Sequence, residues 1–210
     1  RLPMAFVYGE DRKLYDIHGD EARVVGKAEK HARFRVTEEV RRGGVAYVVG
    51  AAGAVRRDEV RLVRTSQAPS GVPSTAKWVH VDLGEQTLVA YEGDKPVYAT
   101  VISSGKKGYE PPSGLFKVQQ KYISTTMNAT DPIDGFYEVE EVPWTLYYHG
   151  GYALHGAYWH TDFGKVRSHG CTNIAPVDAR WIYYWSDPEV PPAWHAVRFQ
   201  PDTTYVYFTN

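Results

Sequence analysis

The chain has 210 residues, with 43% hydrophobic and 23% charged side chains and a formal net charge of −1. This composition is typical of a globular protein, and the near-zero charge argues against nucleic acid as the main partner. No apolar run reaches the roughly 18–20 residues that a membrane-spanning helix needs. The aromatic share of 14% favours β structure.

The first 65 residues alternate short β-type runs with turns, and about five short strands are expected there. The clearest candidates are residues 5–8, 32–36, 46–49 and 60–63. Strands this short in so few residues predict a small barrel. We call residues 1–65 the front module; its net charge is +4, against −5 for residues 66–210. The difference indicates either different partners or simply two unevenly charged surfaces.

A stretch rich in serine, proline and glycine follows and predicts a linker at residues 66–76. The second domain is therefore placed at residues 77–210. Its predicted strands are 78–83, 87–91, 96–103 and 114–118, joined by short turns into an antiparallel meander. A helix is expected at 176–185, where proline comes first and Asp178 lies in the first turn.

Cys171 is the only cysteine of the chain, so it cannot form an intramolecular disulfide. It lies in the run Ser-His-Gly-Cys-Thr-Asn at residues 168–173, sixteen residues after His155. A thiol with a pKa of about 8.5 is mostly protonated at neutral pH, so a nucleophilic cysteine needs a base that accepts its proton and holds the ion pair. We interpret Cys171 as a nucleophile.

Two histidines qualify as that base, His155 and His169. We prefer His155, because a partner on an adjacent strand meets the sulfur with freer geometry. The backbone carbonyl of Gly156 is expected to orient its ring. The amides of Gly170 and Cys171, with that of His169 as a further candidate, are the predicted donors to a developing oxyanion.

Two other interpretations stay open at this point. A single cysteine is often an inert, small apolar side chain, and a histidine is often purely structural. Zinc is the second alternative, because four histidines crowd the same stretch as the cysteine. Against zinc, the segment has neither paired-cysteine spacing nor a His-Glu-x-x-His pattern. The four histidines are His149, His155, His160 and His169.

The pattern of His155-Gly156 followed by the run at residues 168–173 resembles the signature of L,D-transpeptidase (YkuD-type) catalytic domains. The resemblance covers roughly residues 77–209 and includes stretches at 79–91, 103–106, 112–116 and 142–144. Two departures stand out: the interval before Ser168 is slightly shorter than is usual, and Thr172 replaces a more apolar residue. Residues 46–63 resemble the end of a bacterial SH3-like domain.

These resemblances imply a mainly β chain, in which a small SH3-like barrel precedes a β-sandwich-like catalytic domain with one or two short helices. They imply that Cys171 attacks the third-residue diamino acid of a peptidoglycan tetrapeptide stem. D-Ala then leaves with the help of His155, oriented by Gly156, and a thioester remains. An amine captures it: a second stem gives a 3→3 crosslink, a lipoprotein lysine gives an anchor, and a free D-amino acid gives exchange.

Further implications are a location in the bacterial cell envelope, in the periplasm or otherwise outside the cytoplasmic membrane, and acylation by carbapenems. No metal or organic cofactor is implied. The given chain begins at Arg1 with neither an initiator methionine nor a signal-peptide pattern, which indicates a processed or a shortened form. Two rivals remain: an L,D-carboxypeptidase, with water as acceptor, and a catalytically silent peptidoglycan-binding protein.

Five residues are candidates for contacts with the substrate. Ser168 and Asn173 are also expected to form local hydrogen bonds that shape the loop around the cysteine. The others are Tyr158, Trp159 and Arg167. In addition, the stretch at 122–144 is interpreted either as a flap over the site or as a plain excursion of the chain.

Overall fold

The computed structural model describes residues 2–131 and 135–210. In this part of the chain strands dominate, with one α-helix and a single-turn 3-10 helix at Arg57–Glu59. The prediction of a mainly β chain with one or two short helices is confirmed. No helix among the described residues is both long and apolar enough to cross a bilayer.

The front module contains more strands than expected. Four of them coincide with the predicted runs. Of the other four, three carry charged and exposed side chains that hide the apolar alternation which identifies a strand, whereas the fourth, Gly53–Arg56, is short and buries Ala54 and Val55. The strands are β1 (Met4–Val7), β2 (Arg12–Asp16), β3 (Arg23–Ala28), β4 (Arg33–Arg35), β5 (Glu38–Arg42), β6 (Val45–Gly50), β7 (Gly53–Arg56) and β8 (Val60–Val63).

These strands form two antiparallel sheets. One has the order β4-β1-β8 and the other the order β3-β2-β7-β6-β5. Val7 and Leu62 from the first sheet pack against Val48 and Val55 from the second. Because both sheets bury one face in this shared core, the front module has an apolar interior of its own.

Residues 64–76 contain no strand or helix. The segment is nevertheless held, because the Ser66 amide donates a hydrogen bond of 2.8 Å to the Tyr91 hydroxyl. Next to it, Phe6 and Val63 share an apolar cluster with Trp78 and Tyr91. The front module therefore packs directly against the second domain, while the division at 66–76 stays a prediction from composition.

The second domain is built on one curled sheet. Its strands are β9 (Lys77–Asp82), β10 (Thr87–Glu92), β11 (Lys95–Ser103), β12 (Gly114–Lys117), β13 (Gln120–Asp131), β14 (Gly135–His149), β15 (Tyr152–Gly156), β16 (Thr172–Ile174), β17 (Ala196–Arg198) and β18 (Tyr205–Thr209), and its helix is α1 (Pro176–Trp185). The sheet order is β12-β18-β9-β10-β11-β16-β15-β14-β13-β17.

Of the meander predicted over residues 78–118, β9, β10 and β11 pair antiparallel in sequence order, whereas β12 pairs with β18 and not with β11. Val79 and Val81 lie in the main core, against which Leu83 packs. Helix α1 has the predicted bounds and buries Ala179, Ile182 and Tyr183 against the same core. Its burial explains why this short helix is stable without a side-chain cap.

Strands β13 and β14 form a long hairpin, whose residues 132–134 lie outside the described part of the chain. At its base the buried Lys121 ammonium donates to the carbonyls of Tyr183, Ser186 and Pro188 at 2.7, 2.6 and 2.8 Å. The pairing register shifts between Thr125 and Met127. Such a bulge bends a strand, so the outer part of the hairpin leaves the plane of the sheet.

Candidate active site

The candidate site lies where β15 and β16 run parallel. Leu154 is opposite Thr172, and His155 is opposite Asn173. Since side chains alternate along a strand, Cys171 points to the same face as Asn173 and His155. All three line one groove with a volume of about 620 Å³. A parallel pair needs a crossover, and residues 157–170, here called the catalytic loop, supply it.

Cys171 presents a neutral thiol in this structure. Its Sγ donates a hydrogen bond of 3.6 Å to the Gly151 carbonyl. Burial raises the pKa of the Cys171 thiol, and a hydrogen bond from the Ala153 backbone opposes that rise only in part. The proton therefore stays on the sulfur until a base takes it.

His155 is positioned as a neutral base. Its ring is 3% exposed, and its Nδ1 lies 3.1 Å from the Gly156 carbonyl oxygen. Because a carbonyl can only accept, Nδ1 carries the proton and Nε2 keeps a lone pair. Burial lowers the pKa of His155 to about 4, against the smaller opposing effect of the Gly156 hydrogen bond. The contact expected between His155 and the Gly156 carbonyl is thus present.

The two pKa shifts favour a neutral thiol beside a neutral imidazole at rest. Burial disfavours the charged form of each group, which opposes the ion pair that thiol activation predicts.

Ser168 shapes the turn around the cysteine. Its hydroxyl donates to the Cys171 carbonyl at 2.5 Å and accepts from the Gly170 amide at 3.1 Å. This is the local role expected of Ser168. It corrects the prediction for Gly170, whose amide is engaged by Ser168 in this state and is not available to an oxyanion.

Gly170 itself is required by the backbone. Its φ is +126°, and a Cβ at this position would lie 2.8 Å from the Tyr152 ring. An L side chain would strain the chain and displace that ring at the same time. The glycine before the cysteine thus allows close packing against Tyr152.

His169 also lines the groove, and its ring is packed between two aromatic side chains. Its ring packs edge-on to Tyr109, with centroids 5.1 Å apart, and stacks on Tyr137 at 5.0 Å. Tyr137 belongs to β14, so His169 connects the catalytic loop to the hairpin. This packing supports the preference for His155 as the base.

A buried pair that the sequence did not reveal stabilises the floor of the groove. The side-chain amide of Asn173 lies 3.0 Å from His160 Nε2, and His160 Nδ1 accepts from the Asp162 amide at 3.1 Å. The Asn173 atom in this contact is Nδ2, and both side chains are buried. No local spacing links residues 160 and 173, so only the fold identifies the pair.

Four of the five substrate-contact candidates line the groove: Trp159, Arg167, Ser168 and Asn173. Arg167 Nη1 also donates to Asp162 at 2.8 Å. Tyr158 is not among the residues that line the groove and its side chain is 57% exposed, so its contact with the substrate stays a prediction. Its hydroxyl donates to the Glu140 carbonyl at 2.8 Å and so ties the loop to the hairpin.

The hairpin supplies the second wall of the groove, which favours the flap interpretation of residues 122–144. Sequence reasoning identified this segment but none of its lining residues; its length was the one signal. The lining residues from the hairpin are Thr126, Met127, Asn128, Ala129, Tyr137, Val139 and Val142, with Tyr147 near its base.

The histidines do not converge. His149 packs against the rings of Phe116 and Tyr152, while the three others have the separate partners described above. Among residues 2–131 and 135–210, no three histidine, cysteine, aspartate or glutamate side chains lie close enough to hold a metal ion.

Comparison with known proteins identifies the family of this chain. The family model of the YkuD L,D-transpeptidase catalytic domain matches residues 76–193. The chain belongs to this family.

The Bacillus subtilis protein YciB, whose name assigns it to the L,D-transpeptidases, is 27% identical over 119 residues, or 50% of this chain and 59% of YciB. The aligned part is thus little more than half of that relative.

Solved structures show the same fold at lower identity. The catalytic domain of the Enterococcus faecium L,D-transpeptidase matches with a TM-score of 0.52 at 24% identity, covering 64% of this chain and 98% of that one. The L,D-transpeptidase LdtMt1, solved with imipenem, matches with a TM-score of 0.51 at 13% identity, covering 98% of this chain and 82% of that one.

Proposed function

We propose that this protein is a cysteine L,D-transpeptidase of bacterial peptidoglycan. Members of the family act on peptidoglycan, and the substrate class proposed here is a tetrapeptide stem whose third residue is a diamino acid. The observation that carries the proposal is the tautomer of His155. Its Nδ1–H is held by the Gly156 carbonyl, which leaves the Nε2 lone pair for the Cys171 proton in the same groove.

In the first step Cys171 loses its proton to His155 Nε2 as the sulfur attacks the carbonyl carbon of the third stem residue. The thiol first turns away from Gly151, its present acceptor. The resulting oxyanion is stabilised by backbone amides at the turn. The Cys171 amide is the candidate donor, and the Gly170 amide contributes only after it leaves Ser168.

In the second step the carbon–nitrogen bond to D-Ala breaks, and the His155 imidazolium gives its proton to the departing amine. Burial keeps the pKa of this imidazole at about 4, which makes the imidazolium a strong acid for that transfer. A thioester on Cys171 remains. An acceptor amine then attacks it, His155 takes the amine proton, and the proton returns to the thiolate as the amide product leaves.

The proposed acceptors are a second stem, a lipoprotein lysine or a free D-amino acid, and carbapenems are the proposed acylating inhibitors. The groove supports a peptide ligand because it is open and lined by aromatic, apolar and polar side chains, with Arg167 as a cation. The imipenem complex of LdtMt1 supports the inhibitor class through a shared fold. Location in the cell envelope and a wall-binding, SH3-like front module complete the proposal.

The test incubates the full chain with disaccharide-tetrapeptide and follows the products by mass. We expect loss of D-Ala together with crosslinked dimers, and neither from Cys171→Ala. Loss of D-Ala without dimers, and without an exchanged stem when a D-amino acid is added, would identify an L,D-carboxypeptidase instead. Binding without any reaction, retained in Cys171→Ala, would identify a silent peptidoglycan-binding protein.

A further inference from the structure

The catalytic loop is held between the second domain and the front module. On the domain side, the Gly164 amide donates to the Ile102 carbonyl at 2.7 Å. On the front side, Arg61 Nε donates to the Gly164 carbonyl at 2.7 Å, and Lys30 Nζ reaches Thr161 Oγ1 at 3.3 Å. Both backbone groups of Gly164 are therefore fixed, one from each side.

Arg61 is itself immobilised. Its guanidinium lies 4.0 Å above the centre of the Tyr8 ring, and the Tyr8 hydroxyl donates to the Asp58 carbonyl at 2.9 Å. Gly164 has a φ of +95°, and a Cβ there would lie 2.6 Å from Tyr8 Cβ. The front module and the loop thus approach each other at backbone distance, which is the close contact that only glycine allows.

The loop also buries an apolar side chain in the contact. Phe163 is 4% exposed and lies in the cluster that contains Phe6 and Val63 of the front module. The His31 ring faces it with centroids 6.2 Å apart. Part of the burial that fixes the middle of the loop therefore comes from outside the catalytic domain.

Contacts inside the loop lead from this point to the reacting groups. Asp162, two residues before Gly164, binds Arg167 through its carboxylate and His160 through its amide. His160 contacts Asn173, the residue opposite His155. Loops usually owe their order to such anchors, and small displacements of reacting groups lower rates steeply.

We propose that the front module is a positioning element for the catalytic loop and that Arg61 is its positioning residue, acting on Cys171 and His155 through Gly164. The catalytic consequence depends on the proposed function. The effect on thiol reactivity does not, because an alkylating reagent needs no peptidoglycan.

The experiment uses the full chain with Arg61→Met, the conservative Arg61→Lys, and Arg64→Met as the matched control. Arg64 pairs with Glu39 on the exposed surface of the same module. The readouts are the rate of Cys171 alkylation by iodoacetamide against pH, kcat and KM for D-Ala release, and Tm. We expect Arg61→Met to lower kcat about tenfold or more with little change in KM. The rate of Cys171 alkylation against pH should change in the same variant. Arg61→Lys should recover part of the lost kcat. Arg64→Met should behave as wild type in all readouts.

Equal alkylation profiles and kcat values in Arg61→Met and wild type would overturn the proposal. So would a loss that appears equally in Arg64→Met. If Arg61→Met does not fold, the proposal is tested with Arg61→Lys and Lys30→Gln. A changed alkylation profile in both variants supports the proposal, and wild-type profiles overturn it. A wild-type chain that releases no D-Ala refutes the proposed function, and the alkylation profiles still test the role of Arg61.

Discussion

The groove has two walls that are held in different ways. One wall consists of β15, the catalytic loop and β16, where His155 and Asn173 are buried and each has a hydrogen-bond partner. The other is the β13–β14 hairpin, whose outer residues are largely exposed. The comparison indicates that the proposed reacting groups lie on the more strongly anchored wall. The hairpin adds contact surface that can move when a ligand binds.

The largest expected effect comes from removing the reacting groups on the more strongly anchored wall. Cys171→Ala should abolish D-Ala release, and His155→Gln should lower kcat by about 10²–10⁴-fold, since it removes the proton acceptor. Both are measured by mass spectrometry with disaccharide-tetrapeptide. Release at wild-type rate by either variant would contradict the assigned roles.

The next effect tests the packing of the more strongly anchored wall. Gly170→Ala should lower the free energy of unfolding by about 1–3 kcal/mol, because of its positive φ and the Tyr152 ring. It should also lower kcat by more than the smaller fraction of folded protein accounts for. The control is Gly44→Ala, which shares a positive φ but meets open space. Equal unfolding midpoints for the two variants in urea would show that the contact with Tyr152 does not matter.

The pH dependence of stability tests the burial of His155. Its folded-state pKa is about 4, below the ordinary value of 6.5. As the pH falls through 6.5 the unfolded chain binds a proton that the folded chain refuses, so stability is lost between pH 6.5 and 4. The loss attributable to this group is about 2–3 kcal/mol at pH 4.5.

Urea unfolding of wild type and His155→Gln at pH 7 and pH 4.5 measures that loss. Because glutamine does not titrate, the variant should lose less stability over the interval than wild type does. Identical losses in the two proteins would mean that His155 is protonated equally in the folded and unfolded chains.

The smallest expected effect on activity comes from a substitution in the β13–β14 hairpin. Tyr137→Ala should reduce kcat/KM by about 5–10-fold, mainly through KM, because it removes an aromatic contact in the groove and the stack on His169. Its Tm should stay near that of wild type. Phe136→Ala is the matched control, since Phe136 neighbours Tyr137 on the other strand face and is 66% exposed. A kcat/KM in Phe136→Ala as low as in Tyr137→Ala would remove the distinction.

Local patterns predicted much of the fold. Apolar alternation and short turns predicted β9 to β11, and Pro176 with Asp178 in the first turn predicted α1. The insertion of β16 between β11 and β15 could not be predicted, because parallel pairing joins segments that no turn connects. The charged strands of the front module were missed because exposed strands need no apolar alternation.

The candidate site divides in the same way. Cys171, His155 and Gly156 could be proposed from sequence because they lie in two short motifs, and the fold brings Cys171 and His155 to one groove. The Asn173–His160 pair and the Tyr137 wall could not, since each contact joins residues whose proximity only the folded sheet creates. Trp159 lines the groove and Tyr158 does not, a difference that sequence adjacency cannot predict in an irregular loop.

Lys121 has a mechanical consequence for the hairpin. With all three ammonium hydrogens donated to carbonyls of the last turn of α1 and the residues that follow it, the base of the hairpin is clamped to the domain. The register shift between Thr125 and Met127 is the first irregularity after that clamp. The base of the hairpin is therefore anchored to the domain, whereas its outer part, beyond the bulge, is joined to the catalytic loop through Tyr158 and His169.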